Sequence, residues 1–188
     1  MPYMNTNYYG YAGKSPWGCE HYTSFDWPKG YLYMHMCHED GAVWAKSGVV
    51  LSYMNMDDVI KWKGTRIGRR GEDYEAFKKL HAELLIQEVE KQHPGFAASI
   101  DCYYTSTPLT YLDYTGTENG SMYGVAKDVN LGPAGRVPYR IKVPNILLAG
   151  QNVNSHGMLG VMVGTIVTCS ELVSAEKIYK QIDESNHK

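Results

Sequence analysis

The stretch "NILLAGQNVNSHGMLGVMVGTIVTCSEL", residues 145–172, holds no charged side chain from Ile146 to Ser170 and places glycines at 157, 160 and 164. "ILLAG" is a short apolar run without alternation, which predicts a strand over Asn145 to Gly150, buried on both faces as in a parallel sheet. After a polar turn, "GMLGVMVG" predicts a helix that starts at His156 or Gly157 and runs to about Lys180. Backbone N–H groups at such a helix start, with the positive end of the helix dipole, can hold an anionic or electron-rich group. Bare positions at Gly157 and Gly160 would let a flat group lie on the backbone, and Gly160 with Gly164 would let the helix pack closely. The same residues equally suit a buried helix packed on a sheet with no ligand, and on their types alone both remain open.

Other constellations point to less. "YYGYAGKS" ends like a phosphate-binding loop, but Tyr8 stands where the first glycine is required and no strand precedes it. His35 and His38 in "HMCH" could offer metal ligands, yet neighbouring strand residues alternate faces and no second ligand cluster appears, so strand packing is favoured and no metal is expected. Cys102 has no local partner that would mark it as a nucleophile, so a buried thiol is expected, and no GxSxG is present. The uncharged run includes Gln151, Asn152, Asn154, Ser155 and His156, which leaves too short an apolar core for a transmembrane helix.

A formal net charge of -2 over 188 residues gives no electrostatic case for nucleic acid or an anionic membrane. Cys19, Cys37, Cys102 and Cys169 form no CxxC pair, which implies reduced thiols in a cytoplasmic protein. The N-terminus lacks the basic and then apolar pattern of a signal peptide. Sixteen tyrosines stand against three phenylalanines; their polar tips suit partly wet packing better than an amphipathic pocket.

The elements that must position these residues are legible in part. Residues 1–30 lack periodicity and are rich in turn formers. "GYLYMHM" from Gly30 and "GVVLSYMNM" from Gly48 predict strands. "RGEDYEAFKKLHAELLIQEVEKQHPG" predicts a helix with Tyr74, Phe77, Leu80, Leu84, Leu85 and Val89 on one face, acids in its first turn and Pro94-Gly95 as its stop. "SIDCYYTSTPLTYL" predicts a further strand bent at Pro108, and a glycine-rich link over 116–138 follows.

Four segments together, "KSGVVLSYMNMDDVIKWKG", "RGEDYEAFKKLHAELL", "TSTPLTYLDYTGTENGSMYG" and "LLAGQNVNSHGMLGVMVGTIVTCSEL", resemble the C-terminal portion of the phytoene dehydrogenase-related flavoproteins. That group includes carotenoid desaturases and isomerases and all-trans-retinol 13,14-reductases. The resemblance runs from about Gly30 onward and is most specific from Gly150-Gln151 to Gly164.

It implies an α+β chain forming part of an α/β FAD-binding fold. Residues 1–125 would be a substrate-side region with a mixed or antiparallel sheet, and residues 126–188 a strand, turn and helix completing the FAD domain. Gly150 and Gln151 would approach the cofactor's ribityl and phosphate region, with Asn152 and His156 in the same cofactor-side segment. Gly157, Met158, Leu159 and Gly160 would face the flavin's pyrimidine edge. Thr107, Pro108 and Thr110, with Tyr123 and Gly124, would line the substrate side. The implied activity is reduction or desaturation of carbon–carbon bonds in an apolar isoprenoid or polyene by hydride exchange with flavin N5. A lipophilic substrate is compatible with peripheral membrane contact.

The sequence departs from the family at one decisive point. It has no G-x-G at any position, so the GxGxxG fingerprint that holds the ADP half of FAD is absent. The chain is therefore expected to be the C-terminal piece of such an enzyme, inactive without the missing N-terminal FAD-binding half. The alternative is a non-catalytic lipid-binding or interaction module derived from one. No acid or base is assigned.

Overall fold

A computed structural model describes residues 9–10, 21–36 and 45–187; Gly13 to Ser15, Cys19, Cys37 and His38 lie outside these. The chain divides into two units, Met1–Gly120 and Ser121–Lys188.

The first unit pairs three antiparallel strands in the order β1 (Tyr9–Gly10), β2 (Tyr31–Met36), β3 (Ser47–Ser52). β2 and β3 align Tyr31 with Ser52 and Met36 with Ser47. Both are the β-branched and aromatic runs expected to form strands. Helix α1 (Glu72–Gln92) follows, with Glu72, Asp73 and Glu75 in its first turn complementing the helix dipole.

One end of α1 packs through Tyr74 with Met56, Val59, Trp62 and Leu109. Its other end packs through Val89 with Tyr31, Tyr33 and Phe96. The buried face of α1 is thus Tyr74, Ala82 and Val89, whereas Leu80, expected on it, is 55% exposed. Past the helix end, the Glu90 carboxylate accepts from the N–H groups of Gly95 and Ala97, both at 2.8 Å. Those bonds hold its carboxyl below the usual carboxylate range.

Tyrosine serves here as core with a polar tip. Tyr31 is buried and donates to the Glu88 carbonyl at 3.0 Å; Tyr74 is buried and shares a 2.8 Å hydrogen bond with Thr107.

The strand expected from Ser99 onward is not formed. Residues 100–107 are irregular and α2 (Pro108–Thr115) takes their place, because Thr107 and Thr110 make a reciprocal capping box and Pro108 sits at the helix start. These are strong helix-initiating signals, and they outweigh the strand-like aromatic content before them.

In the second unit, helix α3 (Gly157–Cys169) begins where expected but ends early. The chain breaks at residues 170–174, and Ser174 caps α4 (Ala175–Asn186) by accepting from the Lys177 N–H. The strand expected over Asn145 to Gly150 is reduced to one bridge between Arg140 and Leu147, with the Leu148 N–H on the Tyr139 carbonyl at 2.7 Å. Asn145 has φ +62, which interrupts an extended run at its start. Ile146 is 46% exposed rather than buried on both faces. The helices and the antiparallel sheet make the chain α+β. Among the described residues no helix is long and apolar enough to cross a membrane.

Candidate functional site

The second-unit residues expected to form a site gather at the amino end of α3. Residues 150–156 form the turn leading into it, closed by the Val153 N–H on the Gly150 carbonyl at 3.1 Å. Val153 is the turn's buried anchor.

Three donors from the preceding segment hold this turn. The Val125 N–H reaches Asn152 Oδ1 at 2.9 Å, Lys127 Nζ the Gln151 carbonyl at 3.1 Å, and Arg136 Nη1 Asn154 Oδ1 at 3.0 Å. Ser121 closes a second, tight turn: its hydroxyl donates to the Gly124 carbonyl at 3.0 Å and accepts from the Gly124 N–H at 2.9 Å. As a result the Tyr123 and His156 rings lie 4.4 Å apart between centroids, tilted by 37°.

His156 is the residue before α3, extended at φ -89 and ψ 172, and its side chain caps nothing. No acid lies in the first helical turn. The N–H groups that begin a helix have no partner inside it, so this end is electropositive and available. A Cβ on Gly157 would meet nothing within 4 Å, and Met158 and Leu159 are 84% and 74% exposed. Such an end can hold an anionic or electron-rich group.

Gly160 is different. A Cβ there would come within 2.8 Å of Ser155 backbone and side-chain atoms, and one on Gly164 would meet Asn154 at 3.4 Å. These two glycines let α3 lie against its own entry turn. Farther along, Thr168 is buried and donates to the Leu148 carbonyl at 3.0 Å. Glu171 pairs with Arg140, whose Nε lies 3.1 Å from its carboxylate; that hydrogen-bonded partner holds the Glu171 carboxyl below its usual range.

Of the residues expected on the substrate side, Tyr123 and Gly124 belong to this cluster. Thr107, Pro108 and Thr110 belong to the first unit, where Thr107 and Pro108 are buried and both threonines are engaged in capping α2. Sequence reasoning did not find Ser121, Lys127 or Arg136. Nothing in their spacing connects them to a turn some 15 to 30 residues away, apart from the turn formers around them. Cys102, expected to be buried, is an exposed free thiol, as is Cys169, and among the described residues no cluster of His, Cys, Asp or Glu could hold a metal.

No family model matches the chain, and no solved structure matches it. Curated relatives do. The chain is 28% identical over 125 residues to the all-trans-retinol 13,14-reductase of Homo sapiens, covering 65% of this chain and 20% of that protein. It is 26% identical over 127 residues to the same-named protein of Macaca fascicularis, covering 66% and 21%. To that of Danio rerio it is 23% identical over 149 residues, covering 74% and 24%. The match thus spans about a fifth to a quarter of the length of these relatives. The resemblance carried by the sequence is borne out to this extent: the chain is similar to one stretch of the all-trans-retinol 13,14-reductases.

Proposed function

We propose that this chain is part of an FAD-dependent oxidoreductase acting on carbon–carbon bonds of an apolar isoprenoid or polyene. The observation that carries the proposal is the uncapped, acid-free start of α3, with the Tyr123–His156 ring pair beside it, in a chain similar to proteins named for reduction of a retinoid.

A bound flavin would supply the hydride-transfer chemistry. The chain's own residues would orient it and adjust its charge. N–H groups at Gly157, Met158 and Leu159 would stabilise negative charge at the ring edge, as preorganised dipoles do without reorganising during the reaction. Gly150, Gln151 and Asn152 would keep the entry turn close to the cofactor, held in place by Val125, Lys127 and Arg136. Tyr123 would present its ring on the substrate side. Thr107, Pro108 and Thr110 would act as scaffold through α2. The ADP-binding half, bearing GxGxxG, would come from sequence outside this chain.

A second assignment, a non-catalytic lipid-binding or interaction module, is favoured by one feature: Met158, Leu159, Met162 and Val163 stand 84%, 74%, 60% and 45% exposed on α3. A contiguous apolar face of this kind marks a surface that binds something.

The two can be separated by purifying the protein alone and again with a co-expressed polypeptide that carries a GxGxxG nucleotide-binding fold from the same genomic locus. The oxidoreductase assignment expects a colourless chain alone, a yellow complex with stoichiometric FAD, and consumption of all-trans-retinol or a related polyene on addition of reductant. A complex that forms without flavin, or lipid binding by the chain alone at full occupancy, would support the module instead.

A further inference from the structure

We propose that Asn152 is a positioning residue, whose side chain sets the Tyr123 ring against His156 at the open end of α3. The inference rests on the assignment of residues 150–160 to a cofactor seat, and it adds the device that shapes that seat. Asn152 Oδ1 accepts from the Val125 N–H at 2.9 Å, so it grips the backbone two residues after Tyr123. The grip is tight: a Cβ built on Gly124 would lie 1.8 Å from Asn152 Oδ1 and 2.8 Å from its amide carbon. Gly124 also has φ +78, a conformation that side-chain-bearing residues rarely adopt. The carboxamide therefore occupies the space that glycine leaves bare.

On the other side of Tyr123, the Ser121 hydroxyl bonds both the N–H and the carbonyl of Gly124. The backbone that follows Tyr123 is thus held by both Ser121 and Asn152, and His156 stands four residues after Asn152 in the same turn. One side chain consequently links the two segments whose rings meet at 4.4 Å. In a flavin-bearing assembly that pair would stand beside the start of α3 and would limit which planar group fits there.

The test uses proton NMR of the chain itself. In the unsubstituted protein the His156 imidazole protons should show a ring-current shift and cross-relaxation with the Tyr123 ring. Asn152→Ala should abolish both while helix content by circular dichroism is unchanged, and Asn152→Asp, which keeps an acceptor oxygen for Val125, should restore them. Gly124→Ala should act like Asn152→Ala. Unaltered imidazole signals in Asn152→Ala would overturn the proposal, as would a failure of Asn152→Asp to restore them.

A second measurement is flavin affinity of the assembled protein, expected to weaken about tenfold in Asn152→Ala. Loss of the ring contact with unchanged flavin affinity would support the positioning role and count against the cofactor seat, so the two can fail separately.

Discussion

Tyr74 on α1 and Thr107 at the start of α2 share a hydrogen bond of 2.8 Å while each is only 4% exposed. The Thr107 side chain also accepts from the Thr110 N–H, and the Thr107 N–H donates to Thr110 Oγ1 at 3.1 Å in return. Buried hydroxyls without partners are costly, so the residues resembling a substrate-side segment are first of all a structural joint. Tyr74→Phe should lower stability by about 1 kcal/mol through the lost hydrogen bond. Thr107→Val, which removes both that bond and the cap, should cost roughly 2 kcal/mol. Urea denaturation of the two variants checks the order; equal effects would mean the cap contributes nothing.

Arg70 gives a second expectation. Its guanidinium, 5% exposed, pairs with Asp113 on α2 and donates to the Trp62 and Thr65 carbonyls at 3.0 and 3.1 Å. The Arg70 head is enclosed while Asp113 lies on an exposed residue, so removing the guanidinium costs the buried hydrogen bonds to the two carbonyls more than it strands a charge. Arg70→Met should therefore destabilise by roughly 1–2 kcal/mol, more than Lys79→Met on the exposed α1 face, where the pair with Glu83 is 3.9 Å apart. Thermal melts in which the two variants match would contradict this.

Gly157 and Gly160 should respond differently to a side chain. Gly157 faces open space but has φ +78, so Gly157→Ala should cost about 1 kcal/mol from backbone strain. Gly160→Val would strike Ser155, and it should cost roughly 1–3 kcal/mol by overpacking whether or not flavin is present. Under the oxidoreductase proposal, flavin occupancy of the assembled protein should then fall for bulky substitutions at 157 more than at 160. A flavin loss confined to 160 would move the cofactor contact one turn into the helix.

Acid should weaken the first unit earlier than its carboxylates alone require. His35 is buried on β2, and burial, with repulsion from His93, lowers its pKa from the usual 6.5. Above that value folded and unfolded chains both hold it neutral and nothing is lost. As pH falls through 6.5 the unfolded chain binds a proton that the folded chain does not, so stability declines down to the folded-state pKa. His35→Gln should flatten this limb between neutral pH and the carboxylate range in pH-dependent urea melts. An unchanged slope would place the titration elsewhere.

The helical and hairpin elements were legible because their signals are local. α1 shows acids at its start and Pro94-Gly95 at its stop, and the β2 and β3 runs are dense in aromatic and β-branched residues. Two strands were misread for a shared reason, since a strand needs a partner and no local pattern supplies one. Around Leu147 the apolar run meets a single bridge, to Arg140, among the described residues, and near Thr107 the capping box wins. The site was half legible. Resemblance named Tyr123, Gly124, Asn152 and His156, but that Gly124 receives the Asn152 amide and Tyr123 lies on His156 depends on a chain reversal no spacing records.

The exposed methionines of α3 make its apolar face chemically readable. Thioether sulfur oxidises to a polar sulfoxide at a rate that follows its access to solvent. Met158 and Met162, at 84% and 60% exposure, should be oxidised early in dilute peroxide, and Met56, at 9%, late. Any polypeptide or lipid surface that covers the face would reverse this order at Met158 and Met162 alone. Oxidation would in turn make the face polar and weaken whatever docks there, so the helix would record in its own sulfurs whether it had been covered.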